Sequence, residues 1–277
     1  MRKEVVWAII AGVLFGLVIA FGVVRVNSTL KPSGQKQEAS AVPQSIINEF
    51  KITLSKPENE DVITQDFVLI SGITSPKVQV IISAEDADYI VLTDQKGLFE
   101  KEIKLISGLN QIKITAVDPT GSQSVEKVLV VYSSAFEEKE GDRLEKAANK
   151  PKAYLGIVTD ITDSTIQIKT TSGEIRQISI TSDVTFVKIE PAIGDFIVAM
   201  GYRNGNQVLN AQRILITPAP VEPKITVTMG KGADTIPVKT TKIYPKKSDL
   251  TDESQVIYVT VEVKDKPTPR TIFVIQS

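Results

Sequence analysis

The sequence predicts a mainly β protein that is attached to a membrane through one N-terminal helix. Three observations support this fold class: an uncharged apolar run close to the N-terminus, a series of short alternating or β-branched runs after residue 50, and turn-forming residues between those runs. In order along the chain, we expect a transmembrane helix, an antiparallel β-sandwich, and then one or two small β-barrels.

Composition limits the chemistry that the chain can perform. Its 277 residues leave room for an anchor and two or three domains of roughly 60 to 100 residues each. The chain contains no cysteine and no histidine, which excludes disulfide bonds, thiolate and imidazole metal sites, a cysteine nucleophile and a histidine-based triad. We therefore expect no catalytic residue and no cofactor.

Residues 5–24, VVWAIIAGVLFGLVIAFGVV, are the predicted membrane helix. A helix of this length, rising about 1.5 Å per residue, covers a hydrocarbon core of about 30 Å. Arg2 and Lys3 precede the run and favour a cytoplasmic N-terminus, although Arg25 on the other flank works against that orientation. We expect a single-pass protein of the cell membrane that contacts the lipid bilayer through this helix and has its other domains outside the cytoplasm.

Two features of the apolar run have an alternative interpretation. A cleaved signal peptide competes with the uncleaved anchor, but its apolar region is typically about 7 to 15 residues long and ends at a small-x-small site, which does not follow here. Gly12 and Gly16 have the spacing of a helix-dimerisation face, and ordinary glycines of a membrane helix explain them more simply.

Charge composition separates a linker from the β-rich segments on either side of it. Residues 135–152 hold five basic and five acidic residues, which favours a charged linker or a short exposed helix. The complete prediction is a tail and signal anchor at 1–27, a flexible tether at 28–49, a sandwich at 50–134, the linker at 135–152, a small barrel at 153–217 and a C-terminal β module at 222–277.

Residues 50–134 carry a D-x-x-G-x-F hairpin and a closing pair with the pattern G-x-N-x-I-x-x-x-A-x-D-x-x-G. This segment resembles the bacterial immunoglobulin-like domains found beside glucodextranase-type and other cell-surface proteins. The resemblance implies an immunoglobulin-like sandwich but no activity, since such modules serve as spacers, adhesins and enzyme appendages. The matching positions are Asp94, Gly97, Phe99, Gly108, Asn110, Ile112, Ala116, Asp118 and Gly121.

Asp118 begins the sequence Asp-Pro-Thr-Gly, which fits a type I turn. Asp at the first position bonds forward to backbone N–H groups, Pro presets φ, and Gly relaxes the fourth position. A turn is a sufficient explanation. Calcium binding is the alternative, through Asp118 or through the cluster Glu85, Asp86 and Asp88, because hard cations prefer clustered oxygen atoms. Neither stretch has the spacing of an EF-hand.

Residues 153–217 contain five or six short runs, enough to close a barrel of the oligonucleotide-binding-fold type. The positions Gly156, Gly194, Asp195 and Gly201 resemble a small β-barrel family of exported bacterial proteins that has no assigned activity. Single-stranded nucleic acid needs a basic groove with aromatic platforms, but this segment has five basic and six acidic residues. We expect no nucleic-acid partner.

The C-terminal module, residues 222–277, has features of a divergent repeat. TIQIKTT at 165–171 recurs as TIPVKTT at 235–241, either through duplication or through chance in β-rich sequence. The intervening TPAPVEP, residues 217–223, is the predicted hinge because X-Pro pairs favour extended chain.

The sequence therefore predicts a non-catalytic interaction or scaffold protein of a bacterial cell envelope, with a protein or a cell-wall glycan as partner. Sheet edges and grooves between modules are the expected contact sites. One alternative is an accessory carbohydrate-binding subunit of a polysaccharide-processing enzyme. Another is a component of a secretion or surface-appendage assembly.

Overall fold

Residues 50–136, 150–231, 242–244, 251, 254–263 and 266–275 are described by a computed structural model of the chain. The predicted membrane helix, the tether and residues 137–149 of the predicted linker lie outside the described residues, as does the repeat at 235–241. Within the described ranges, no helix is both long and apolar enough to cross a bilayer.

The prediction of a mainly β fold is confirmed, because the regular elements of the described residues are strands apart from a 3-10 helix at Ser134–Phe136. The first eight strands are β1 (Thr53–Lys56), β2 (Asp61–Ile63), β3 (Phe67–Ile73), β4 (Gln79–Ser83), β5 (Asp88–Leu92), β6 (Leu98–Lys104), β7 (Gly108–Val117) and β8 (Gln123–Tyr132). The others are β9 (Lys152–Ile161), β10 (Thr165–Lys169), β11 (Ile175–Ser179), β12 (Thr185–Val187), β13 (Phe196–Arg203), β14 (Leu209–Ile216), β15 (Ile225–Lys231), β16 (Lys242–Tyr244), β17 (Gln255–Val263) and β18 (Lys266–Ile275).

Strands β1 to β8 form a sandwich. Strands β1-β3-β6 make a three-stranded sheet, here called sheet A, and β2-β8-β7-β4-β5 are one end of an eleven-stranded sheet, here called sheet B. Alternate residues of both sheets point inward and form one core, because side chains of a strand alternate between its two faces. Ile70, Phe99, Val80, Ile114 and Val130 are central members of this core.

Strands β9, β10, β11, β14 and β13 form a closed barrel. Each strand in that order pairs with the next, and β13 pairs with β9, so that the ring has no open edge. The β11–β14 pairing is parallel, and the other four pairings are antiparallel. Short β12 adds to β14. Ile166, Ile168, Ile178, Ile197 and Ile214 fill the interior.

The barrel and the sandwich share sheet B. Asp61 of β2 pairs with Lys152 at the start of β9, so the sheet continues from one module into the other. A third apolar core fills this junction, which explains why the first half of β9 and most of β13 are buried on both faces. Lys152 and Phe136, both assigned from sequence to a solvated linker, are buried here at 7% relative exposure each.

The described part of residues 222–277 forms a four-stranded sheet of order β15-β17-β18-β16, here called sheet C. Its inner face packs against the outer face of sheet B through a fourth core that includes Ile81, Val117, Val227, Val259 and Phe273. This cover explains the loss of alternation at the end of β7, where the last four residues are all buried. The described residues from 50 onward belong to one compact unit.

Candidate functional site

A groove of about 330 Å³ lies where the sandwich, the barrel and the segment before β15 meet. Strands β7 and β8 supply its floor with Gln111, Lys113 and Lys127 among others. Asn59 lines it from the β1–β2 loop of the sandwich, and Thr171 lines it from the β10–β11 turn of the barrel. The remaining wall is Pro220, Glu222 and Pro223 of the predicted hinge.

The β7–β8 hairpin brings two lysines together on the groove floor. Lys113 pairs directly with Lys127 across the strands. Like charges at directly opposite positions are destabilising, so this arrangement needs a compensating group. Burial lowers the pKa of Lys113, and the neighbouring positive charge of Lys127 lowers it further, while Glu222 acts in the opposite direction.

Compensation comes from the segment that follows the barrel. The Lys127 ammonium group forms an ion pair with Glu222, and the resulting hydrogen bond lowers the pKa of Glu222. Lys113 Nζ donates to the carbonyl oxygen of Ile225 at 2.5 Å. Both lysines therefore bind the segment around Glu222 and Ile225, which lies about a hundred residues later in the sequence.

Glutamine side chains extend these contacts. Gln111 Nε2 donates to the Val221 carbonyl oxygen at 3.2 Å, and Gln123 Nε2 donates to that of Val227 at 2.7 Å. Ile225 and Val227 belong to β15, an edge strand of sheet C, so these contacts also occupy edge carbonyl groups that could pair with another strand. The segment predicted as a hinge is thus attached to sheet B at Val221 and Glu222, and β15 is attached at Ile225 and Val227.

The groove combines apolar and charged surface. Two ammonium groups, one carboxylate and the side-chain amides of Asn59 and Gln111 lie beside apolar surface that includes Leu129, Pro220 and Pro223. Such a site can hold an extended segment that offers apolar side chains and hydrogen-bond acceptors. Val221, at its rim, has 83% relative exposure and is accessible to a partner.

Asp118, one of the predicted calcium candidates, organises the β7–β8 turn. Its Oδ1 atom accepts the N–H groups of Thr120 at 2.8 Å and Ser122 at 2.9 Å, together with the Thr120 hydroxyl at 2.6 Å. Gly121 follows with φ of 88°, in the left-handed region that glycine tolerates best. These contacts match the predicted turn.

The other calcium candidates do not converge. Glu85 Oε1 accepts the backbone N–H of Gln111 at 3.2 Å, and Asp86 is exposed. The Asp88 carboxylate is buried and binds the Arg270 guanidinium in a two-point ion pair, while the Thr271 hydroxyl donates to it at 2.6 Å. Among the residues that the structure describes, no group of three or more acidic side chains is placed to hold a metal ion.

Residues of the sequence pattern in the sandwich have structural roles. Asp94 Oδ1 accepts the backbone N–H groups of Lys96 and Leu98 at 2.8 Å each and so shapes the β5–β6 turn. The Asn110 side chain is buried and bonds both backbone groups of Ile106. A side chain at Gly97 would meet the Thr74 carbonyl oxygen at 1.9 Å. The pattern therefore specifies turns.

Two described aromatic side chains, Phe67 and Tyr244, have large exposed areas. Phe67 lies on sheet A, whereas Tyr244 lies on sheet C and stacks on Phe273 at 5.7 Å between ring centroids. A sugar-binding face typically presents several aromatic rings in one plane. Rings on two separate sheets do not form such a row.

Sequence reasoning did not identify the lysine pair of the groove, although a signal was present. In a hairpin, the turn sets the register of both strands. Asp118 lies opposite Ser122 at the turn, so counting outward matches Val117 with Gln123, and continuing by two residues at a time reaches Lys113 opposite Lys127. The position of Glu222, by contrast, depends on how the distant segment docks.

Comparisons with known proteins add little to this description. No family model and no curated protein matches the sequence. Among solved structures, a tetra-tandem repeat in the extending region of a large adhesion protein has 11% identity and a TM-score of 0.25, with 82% of this chain and 72% of that chain covered. Drosophila Unr CSD456 has 11% identity and a TM-score of 0.21, with 73% and 98% covered. Likeness at this level carries no argument about function.

Proposed function

We propose that the protein is a membrane-anchored, extracytoplasmic interaction or scaffold protein of a bacterial cell envelope, without catalytic activity of its own. The proposal combines the apolar run at 5–24 with the way in which the modules are joined. The continuity of sheet B from barrel to sandwich, with sheet C packed on its outer face, is the observation that carries it.

Modules joined in this way suit a display role. Each interface has an apolar core and buried ion pairs, so the modules do not move past one another freely. The groove between them keeps Lys113, Lys127 and Glu222 at fixed positions for a protein or cell-wall glycan partner.

The proposal extends to the finer description of the fold. We infer that residues 50–134 are an immunoglobulin-like sandwich, as the sequence resemblance implies. We also infer that the barrel belongs to the oligonucleotide-binding-fold type. Its ring of five strands with one parallel pairing supports this assignment. The fold type implies no nucleic-acid ligand, since function resides in the site and not in the fold.

Cysteine labelling tests the location. The natural chain has no cysteine, so Val221→Cys provides a single exposed thiol for a membrane-impermeant maleimide. We expect Val221→Cys to be labelled on intact cells and the control Arg2→Cys to be labelled only after permeabilisation. Protection of the thiol at position 221 until lysis would contradict an extracytoplasmic location.

The same thiol tests the interaction role. A photoreactive maleimide attached at position 221 lies at the rim of the groove, and Asn206→Cys, in the exposed β13–β14 turn, is the matched control outside it. We expect irradiation of intact cells to give a discrete adduct of higher mass from position 221 and not from position 206. Equal or absent adduct formation at both positions would count against the groove as a contact site.

A further inference from the structure

The outer face of sheet A is an apolar surface that no other described element covers. Along β3, Phe67, Leu69 and Ile73 alternate with core residues and point outward with 40% to 43% relative exposure. Leu98 of β6, which pairs with Ile73, extends the patch at 48%. The outer face of sheet B carries comparable apolar residues, and sheet C covers them. Contiguous exposed apolar surface of this kind marks an interaction site.

Charged residues flank this apolar strip on both sides, Lys56 on the β1 side and Glu100, Glu102 and Lys104 on the β6 side. Lys56 of β1 and Glu100 of β6 both pair with Ser71 of β3, so the three residues form one row across the sheet with their side chains on the outer face. Lys56 and Glu100 are exposed, and neither forms an ion pair with another residue in the described ranges.

We propose that this face pairs with the same face of a second copy of the chain, around a two-fold axis parallel to β3. Such an axis places β3 on β3 of the partner copy, so that the strip of Phe67, Leu69 and Ile73 packs on itself. It also exchanges the flanking strands, so β1 of each copy lies over β6 of the other. Lys56 of each copy then faces Glu100 of the other, which gives two equivalent ion pairs.

The other two-fold arrangement in the plane of the interface lacks this match. An axis perpendicular to the strands would place β6 over β6 and β1 over β1, each in the opposite direction. Lys56 of one copy would then face β1 of the other and not its Glu100. If this axis crossed the row of Ser71, Glu100 would lie on Glu100 and Lys56 on Lys56, which like-charge repulsion disfavours.

This inference rests on the interaction role proposed above and names one partner for it. The self-association proposal and the proposed function can be disproved independently of each other. Self-association is measured on the purified full chain in detergent, whereas the location is measured on cells. Use of the full chain keeps the membrane segment present in every variant. A dimer that forms through Gly12 and Gly16 would be unaffected by charges on sheet A.

Charge reversal tests the proposed axis. We expect the full chain to sediment as a dimer, and Lys56→Glu or Glu100→Lys alone to weaken the dimer by about tenfold or more, since each variant creates two facing pairs of like charge. Mixing the two variants should restore dimers. The carboxylate introduced at position 56 of one chain then faces the ammonium group introduced at position 100 of the other, and the natural Glu100 and Lys56 form the second pair. Leu69→Lys, in the centre of the strip, should leave only monomer.

An unchanged far-ultraviolet circular dichroism spectrum of each variant serves as the control for folding, because all three positions are exposed and loss of the dimer by itself shifts thermal unfolding. Restoration on mixing cannot arise from misfolded subunits, so that result would establish both the surface and the axis. A natural chain that stays monomeric would overturn the proposal. A dimer that none of the substitutions weakens would overturn it as well.

Discussion

Asp118 accepts three hydrogen bonds at a single oxygen atom, two from backbone N–H groups and one from the Thr120 hydroxyl. All three favour the charged carboxylate, and the Thr120 hydroxyl contributes most to lowering the pKa of Asp118. Asp88 and Asn110 also bind other parts of the chain, since the Asp88 carboxylate accepts from Arg270 and the Asn110 side chain bonds the backbone of Ile106. At the scale of single residues, polar side chains here stabilise turns and interfaces.

Asp118→Ala should lower the melting temperature at neutral pH because it removes the acceptor of the turn, whereas Asp118→Asn retains an acceptor oxygen and should lower it less. The folded-state pKa is depressed, so the carboxylate's contribution is present above its unfolded pKa of about 3.9 and is lost as pH falls through the folded value. Asp118→Asn should lack this acid-side loss.

Melting curves across the acid range, recorded with calcium and with EDTA, check this prediction. Equal melting temperatures for the Asn and Ala variants would contradict the turn explanation. A calcium-dependent rise in the natural chain that Asp118→Asn removes would support the calcium alternative instead.

At the scale of elements, closure of the barrel depends on close approach between strands. A side chain at Gly156 of β9 would lie 2.4 Å from the Lys169 carbonyl oxygen of β10. One at Gly201 of β13 would lie 2.0 Å from that of Asn210 of β14. Both contacts occur near register shifts, where one strand bends against the other. Glycine at these positions permits the strands to approach.

Gly156→Ala and Gly201→Ala should each destabilise the protein by about 1 to 3 kcal/mol, because a backbone carbonyl group must shift to admit the methyl group. Gly205→Ala is the matched control, since no atom lies within 4 Å of its added carbon. Denaturant unfolding of the three variants measures the differences in unfolding free energy. Equal stability of Gly201→Ala and Gly205→Ala would show that the approach at β14 is not required.

At the scale of the whole molecule, ion pairs connect the sandwich to the barrel. Lys152 Nζ lies 2.6 Å from Asp61 Oδ1 and 2.6 Å from Glu58 Oε2. Burial alone would lower the pKa of Lys152, but hydrogen bonds to Asp61 and Glu58 outweigh burial and raise it. Arg176 reaches Glu60 at 2.6 Å and lies 4.8 Å above the centre of the Tyr154 ring. The junction therefore combines buried charge with the apolar core around Val131 and Phe196.

Lys152→Met should destabilise the protein by about 3 kcal/mol, because it leaves Asp61, at 14% side-chain exposure, without its cationic partner. In the natural chain the raised pKa of Lys152 means that its contribution is fully present below the unfolded value of about 10.4 and is lost as pH rises through the folded value. The pKa of Glu58 is lowered by its hydrogen bond to Lys152, so its contribution to stability is lost at acid pH, as the pH falls through the folded-state pKa of Glu58.

Melting temperature as a function of pH measures this effect. The melting temperature of the natural chain should be constant at intermediate pH and decline at both acid and alkaline pH. Lys152→Met should lose the alkaline decline that Lys152 causes. The double variant with Asp61→Asn should recover part of the lost stability, because it removes the unpaired charge. A fully additive double variant would show that the two residues do not interact.

The sequence by itself determined the mainly β class, the main strand regions and the turn at Asp118, because period-two patterns and turn residues act locally. It also contained the register that places Lys113 opposite Lys127. The tertiary structure alone decided that sheet B crosses from sandwich to barrel through Asp61 and Lys152, that sheet C covers strands β4 and β7, and that Glu222 reaches Lys127. Those contacts join residues far apart in the chain, and they depend on which apolar faces bury each other, a choice that no local pattern encodes.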